Sequence, residues 1–174
     1  MLLISSLIFN TLNALLSQHR RQIGVMKLVG ARAQNWLRQE KSYRAFGTEL
    51  GRDATPQEAD LPRFVDLSKD FHGKAAMEAI GVRSKCVTLL IDGPDDADPW
   101  GREVLYHGET RVGRLTSGGY SVAFGKSIGM GYVTPDVAVP GTKLKLKMFN
   151  QLWDAEIVQD SPYDPKNEAS RKDG

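Results

Sequence analysis

The second half of the chain is written in period two. Lys143-Leu144-Lys145-Leu146-Lys147-Met148 alternates without a break, the pattern of a strand with one face on a core and one in water. The same reading predicts strands over 85–91, 103–107, 110–117, 127–133, 143–149 and 152–159. Turn chemistry separates them: Gly93-Pro94-Asp95-Asp96, His107-Gly108-Glu109, Gly118-Gly119, Thr134-Pro135-Asp136, Pro140-Gly141-Thr142 and Asn150-Gln151. Roughly six short strands at such spacing predict a small barrel or jelly roll.

Upstream the period lengthens. Residues 35–46 predict a helix with one wet face, carrying Trp36, Leu37, Glu40, Tyr43 and Arg44 and stopped by Gly47. Residues 53–59 read as a turn into a short helix, 61–67 as a strand, and 73–80 as a short helix closed by Gly81. The fold class is therefore α+β, with N-terminal helices followed by a C-terminal six-stranded antiparallel β-barrel or jelly roll. Three parts are expected: 1–33, 34–82 and 83–174.

The first part is largely apolar over 1–16, with Leu3, Leu7, Leu12, Leu15 and Leu16 on one helical face. It is shorter than the roughly 18 apolar residues of a membrane span and holds Ser5, Ser6, Asn10, Thr11 and Asn13. Its charge, at Arg20 and Arg21, follows the apolar run, whereas a secretory signal carries charge first. Two readings stay open: an amphipathic helix packed on this chain, a second copy or a partner, and a membrane anchor.

Composition narrows the chemistry. The formal net charge of +2 argues against a nucleic-acid footprint. A single cysteine, Cys86, excludes an internal disulfide and a cysteine-rich zinc site, and it sits in an apolar run that predicts a buried, inert thiol. Gly125-Lys126-Ser127 looks like part of a phosphate loop, but Tyr120 stands where that loop needs glycine, and a strand follows where it needs a helix. His72 and His107 have no third ligand spaced with them, and Asp92, Asp95, Asp96 and Asp98 lack the calcium-loop order, so no metal site is expected. A cytoplasmic location fits these features best.

Two resemblances add to this reading. Phe9 to Arg32, with Gln18-His19-Arg20-Arg21-Gln22-Ile23-Gly24 and Lys27-Leu28-Val29-Gly30-Ala31-Arg32, resembles FtsX-like permease subunits of ABC transporters. From about Gly30 onward, four words resemble the C-terminal part of the glycine-cleavage T-protein (aminomethyltransferase) family. They are Leu37-Arg38-x-Glu40-Lys41-x-Tyr43-Arg44-x-x-Gly47, Thr55-Pro56-x-Glu58-Ala59-x-Leu61, Lys69-Asp70-Phe71-x-Gly73-Lys74-x-Ala76, and Val112-Gly113-x-Leu115-Thr116-Ser117-Gly118-x-Tyr120 with Gly125-Lys126-Ser127-Ile128. Pro162-Tyr163-Asp164-Pro165-x-Asn167 and Arg171 fit the family's ending. The wording is most similar to the folate-binding half of dimethylglycine and sarcosine dehydrogenases.

That resemblance implies tetrahydrofolate as cofactor and one-carbon transfer from an aminomethyl or N-methyl donor as chemistry. It implies folate contacts from Tyr43, Glu40 and Arg171. For Tyr43 a half-buried structural role stands beside it, for Glu40 a structural partnership is the stronger reading, and for Arg171 a solvated tail charge stands beside it. The family's catalytic aspartate lies upstream of the Leu37-Arg38-x-Glu40 word, so no catalytic residue is assigned and little activity is expected of this chain alone. No Gly-x-Gly-x-x-Gly follows a strand, so no flavin is expected here. The alternatives are a non-catalytic barrel module that dimerises or docks through residues 1–32, and a membrane-associated protein anchored by residues 1–16.

Overall fold

The computed structural model describes residues 32–94 and 96–168. The chain divides into two units, Met1–Asn35 and Trp36–Gly174. Helix α1 (Arg32–Glu40) leads into the second. A one-turn 3-10 helix (Pro62–Phe64) and α2 (Lys74–Ile80) precede six strands: β1 (Lys85–Asp92), β2 (Val104–His107), β3 (Thr110–Ser121), β4 (Lys126–Val133), β5 (Lys143–Met148) and β6 (Gln151–Val158). The strands close into a barrel in the order β1-β4-β3-β2-β5-β6, and every pairing is antiparallel. The expected six-stranded barrel is therefore the fold.

Two layers follow from the alternation. Side chains of Val87, Leu89, Ile91, Leu105, Leu115, Val133, Leu144, Leu146, Ala155 and Ile157 fill the barrel. Strands β5 and β6 bury every second residue and leave the other face wet. Strands β1 and β4 bury nearly all their residues, because the segment after α1 covers their outer face. Met130 Sδ there lies 3.7 Å from Arg38 Nη1, and Thr88 Oγ1 shares a 2.8 Å hydrogen bond with Ser42 Oγ. Cys86 lies in the same layer, and burial pushes its thiol up to about 12, as expected of an inert cysteine.

Local expectations differ from the structure at five places. The helix expected over 35–46 ends at Glu40, because Ser42 turns to φ +53° and lends its hydroxyl to Thr88. Residues 53–59 make a single turn rather than a helix. Residues 61–67 form no strand: Pro62 starts a 3-10 turn instead, and the closed barrel offers no free edge to pair with. Gly118-Gly119 is no turn either. Strand β3 runs through it to Ser121, since Gly118 admits Pro99 and Gly119 admits Trp36, whose Cβ lies 3.5 Å from where a glycine-119 Cβ would stand. The turn falls after Ser121. Between β5 and β6 it falls on Phe149-Asn150, both with positive φ, which is the two-residue hairpin geometry one position earlier than expected.

The apolar segment 1–31 lies outside the described residues. Among the described residues no helix is long and apolar enough to cross a membrane.

Strands β3 and β4 approach closely where glycine stands. A Cβ on Gly131 would lie 2.5 Å from the Arg114 carbonyl oxygen and 2.9 Å from Leu115 Cα. Neither backbone atom can yield without moving the strand. Gly131→Ala is expected to cost about 2–3 kcal/mol. An unchanged urea midpoint would contradict this close approach.

Candidate functional site

The outer layer is organised by a defect in β3. Its register against β4 slips between Leu115 and Ser117, so Thr116 is one residue too many. In an unbroken strand, neighbouring hydroxyls would point to opposite faces. The bulge turns both outward, and Thr116 Oγ1 (2.7 Å) and Ser117 Oγ (2.6 Å) donate to the same atom, Glu49 Oε1. Glu49 Oε2 accepts from Arg38 Nη1 (2.7 Å), Thr48 Oγ1 (2.7 Å) and the Ala45 amide (3.0 Å). The Glu49 side chain is fully buried. Burial raises its carboxyl, but the donors, led by Ser117 and the Ala45 amide, outweigh burial and hold it below the ordinary value. A carboxylate with five donors is a poor base, so Glu49 is a tie between α1, the 45–49 turn and the barrel. Tyr132 extends the tie by donating its hydroxyl to the Glu49 carbonyl at 2.7 Å.

Two further charged clusters pin the layer. Thr55-Pro56-Gln57-Glu58 is a capping box: Glu58 Oε2 accepts from the Thr55 amide (2.8 Å), and Thr55 Oγ1 accepts from the Glu58 amide (3.2 Å). The same carboxylate takes Arg83 as a fork, Nε on Oε1 at 2.9 Å and Nη2 on Oε2 at 3.0 Å. Arg83 is the main reason that Glu58 is held down at about 2. Arg44 is nearly buried over β1 and pairs with Asp160 at 2.7 Å and Asp60 at 3.4 Å. Burial works against the Arg44 charge, and Asp160 more than compensates, so its pKa rises.

Of the three residues singled out for folate, Glu40 and Tyr43 are described, and they stand in different surroundings. Glu40 is buried; its Oε1 accepts a short hydrogen bond from Ser121 Oγ, and its carbonyl accepts the Tyr163 amide at 3.1 Å. Tyr43 stands at the turn after α1 with 61% of its surface exposed. Arg171 lies outside the described residues. Among the described residues no cluster of histidine, cysteine and acidic side chains could hold a metal ion. Asp92 instead pairs with Lys126 at 2.7 Å, and Asp98 accepts from Ser127 at 3.3 Å, while Asp95 lies outside the described residues.

Sequence reasoning passed over Glu49 and Arg83. The available signal for Glu49 was an acid held between Gly47 and Gly51 beside a Thr-Ser pair sixty-odd positions away, which only a fold brings into contact. Beside this tie lies a cleft of about 470 Å³. The 47–54 loop forms one wall, and Arg111, Arg114 and Thr116 of β3 with Tyr132 of β4 form the other.

Comparison with known proteins gives this geometry relatives. Residues 85–164 match the family described as the glycine cleavage T-protein C-terminal barrel domain. The mitochondrial dimethylglycine dehydrogenase of Mus musculus is 36% identical over 152 residues, covering 83% of this chain and 17% of that protein. An aminomethyltransferase of Saccharopolyspora erythraea is 35% identical over 138 residues, covering 76% of this chain and 37% of its own length. Among solved structures, the glycine cleavage system aminomethyltransferase T from Bartonella henselae superposes with a TM-score of 0.68 at 22% identity, over 83% of this chain and 44% of that one. That likeness shows the fold. The chain spans about a sixth of the mouse dehydrogenase it matches.

Two outcomes test the tie and the fork. Glu49→Gln removes the charge that pairs with Arg38 and replaces one accepting oxygen by a donating amide, and it is expected to lower stability by about 3 kcal/mol, with Tyr43→Ala within about 0.5 kcal/mol of the parent, both read from urea midpoints. The depressed Glu58 carboxyl contributes stability that is complete above its ordinary 4.5 and is lost as pH falls toward about 2. A Glu58→Gln chain should therefore show a flatter fall in melting temperature below pH 4.5 than the parent. Parallel curves would sink the Arg83–Glu58 account.

Proposed function

Because the chain belongs, through its barrel and the segment before it, to the glycine-cleavage T-protein family, we propose that it is the folate-side part of a tetrahydrofolate-dependent one-carbon transfer protein of the dimethylglycine and sarcosine dehydrogenase type. The observation that carries this is the 36% identity to dimethylglycine dehydrogenase over most of this chain, which extends well upstream of the barrel. Bound tetrahydrofolate would supply the amine that accepts the carbon. This chain's contribution is a wall. Tyr43 offers an exposed ring at the end of α1, suited to stacking on a heteroaromatic face. Arg171, with its planar fork, would take a carboxylate. Glu40 shapes the wall from beneath, through Ser121.

In this reading no catalytic group is assigned among the described residues. Glu49 and Glu58 are each held by several donors, and neither is placed to move a proton on a ligand. One-carbon transfer then needs a carboxylate from outside the described residues, and the substrate amine would be read there too.

A second reading rests on exposed apolar side chains. Phe46 is 89% exposed and Phe64 71%, with Leu37 and Tyr43 also more than half exposed. These residues all precede the barrel, and a second copy of the chain or a partner protein would cover them.

Anaerobic calorimetry with tetrahydrofolate tests the first reading. Saturable binding in the millimolar range is expected, weakened about tenfold by Tyr43→Ala. Absence of saturable binding would sink the folate reading and leave the docking module. Sedimentation of the full chain against residues 33–174 tests that module: deletion should change the solution mass or lower solubility, and identical mass and melting would rule it out.

A further inference from the structure

The cleft beside Glu49 is lined by charges that the tie does not use. Strand β3 carries a second irregularity, where its register against β2 slips between Leu105 and Tyr106 and leaves Val112 extra. Arg111 and Arg114, three apart, would face opposite sides of an unbroken strand. With Val112 turned into the barrel core, both arginines point outward and line the same cleft. Elsewhere on the barrel wall, three outward lysines have acids opposite them: Lys126 with Asp92, Lys145 with Asp154 and Lys143 with Glu156. Arg111 and Arg114 have no ion pair or hydrogen-bond partner among the described residues.

The facing wall supplies one opposite charge. Asp53 lines the cleft, and its carboxylate packs against Gly51, 3.1 Å from where a Cβ would stand there. The Asp53 carbonyl is held by Arg83 at 2.8 Å, which fixes the loop that presents it. The Glu49 charge is opposed by Arg38 at 2.7 Å, with four neutral donors on the same carboxylate. Two guanidinium groups and one carboxylate around about 470 Å³ complement a small zwitterion with two carboxylates and one ammonium.

We propose that this cleft binds an amino-dicarboxylate of the glutamate class, with Arg111 and Arg114 on its carboxylates and Asp53 on its ammonium. The geometry rests on the bulge at Val112 and is independent of folate. An Arg fork takes a carboxylate through two parallel hydrogen bonds, so two forks hold an extended dicarboxylate at both ends. The hydroxyls of Ser84 and Thr134 at the cleft margin add donors for the same oxygens.

Nitrogen-15 NMR titration of the full chain tests this, with L-glutamate as probe, and glutarate and inorganic phosphate as comparisons. Saturable shifts at the Gly51, Gly113 and Thr134 amides are expected with glutamate. Arg111→Gln and Arg114→Gln should each weaken binding about tenfold with an unchanged melting temperature, since both side chains are exposed. Asp53→Asn should weaken glutamate and spare glutarate. No saturation by tens of millimolar glutamate would overturn the proposal. So would equal responses to glutamate, glutarate and phosphate on the parent chain, a comparison that requires no variant to fold. Arginine variants that fold but bind as the parent does would overturn it as well.

Discussion

A buried negative charge sits at the seam between barrel and cover, and everything in the cover is arranged to keep it comfortable. Glu49 has lost its water, so its two oxygens must find donors or the folded state bears the cost. Five donors meet that need, and they come from three separate stretches of chain: the end of α1, the turn before Glu49, and the bulged middle of β3. The bulge is thus a requirement of the carboxylate. Without an extra residue in β3, one of the two hydroxyls would face the hydrophobic interior, and Glu49 would lose one of its donors. The position of α1, the path of the 47–51 loop and the width of the cleft all follow from that one electrostatic demand.

The same logic explains why the barrel has unequal sides. Strands β5 and β6 face water and alternate cleanly, with lysines answered by acids across the ladder. Strands β1 and β4 are roofed over, and their outward positions include Cys86, Thr88 and Met130, small or soft side chains that tolerate a close neighbour, beside Tyr132, which donates its hydroxyl to the roof. The roof itself presents large apolar rings outward, notably Phe46 and Phe64. A surface that is dry beneath and apolar above is suited to being covered by a further body.

Much of this was legible in the residues. The alternation in 143–148 and the glycine and proline turns located all six strands to within a few positions, because each reports a purely local constraint. The roof was not legible in the same way. Nothing local tells that Ser42 will adopt a left-handed backbone, since the reason, Thr88, lies 46 positions away. Gly118-Gly119 reads as a turn from composition, yet it serves two close approaches, from Pro99 and Trp36, that exist only in the assembled molecule. Glu40 and Tyr43 share a helical word in the sequence, but helix termination after Glu40 sends one under cover and leaves the other in solvent. Family resemblance could name these residues, and only the packing separates their circumstances.

Closure of the barrel has a consequence for how such a chain can be inherited. A sheet with free edges is committed to whichever strand completes it, and exchanging the neighbour exposes unpaired backbone. Here every strand has two partners, so the ring of backbone bonds is complete without help from anything upstream. Recombination can therefore attach different partners ahead of it at no cost to its own pairing, provided that the short roof travels with it. The stretch matched to this chain makes up 17% of one relative and 37% of another. The unit of inheritance is the ring together with its roof, and Glu49 is the rivet that makes them one piece.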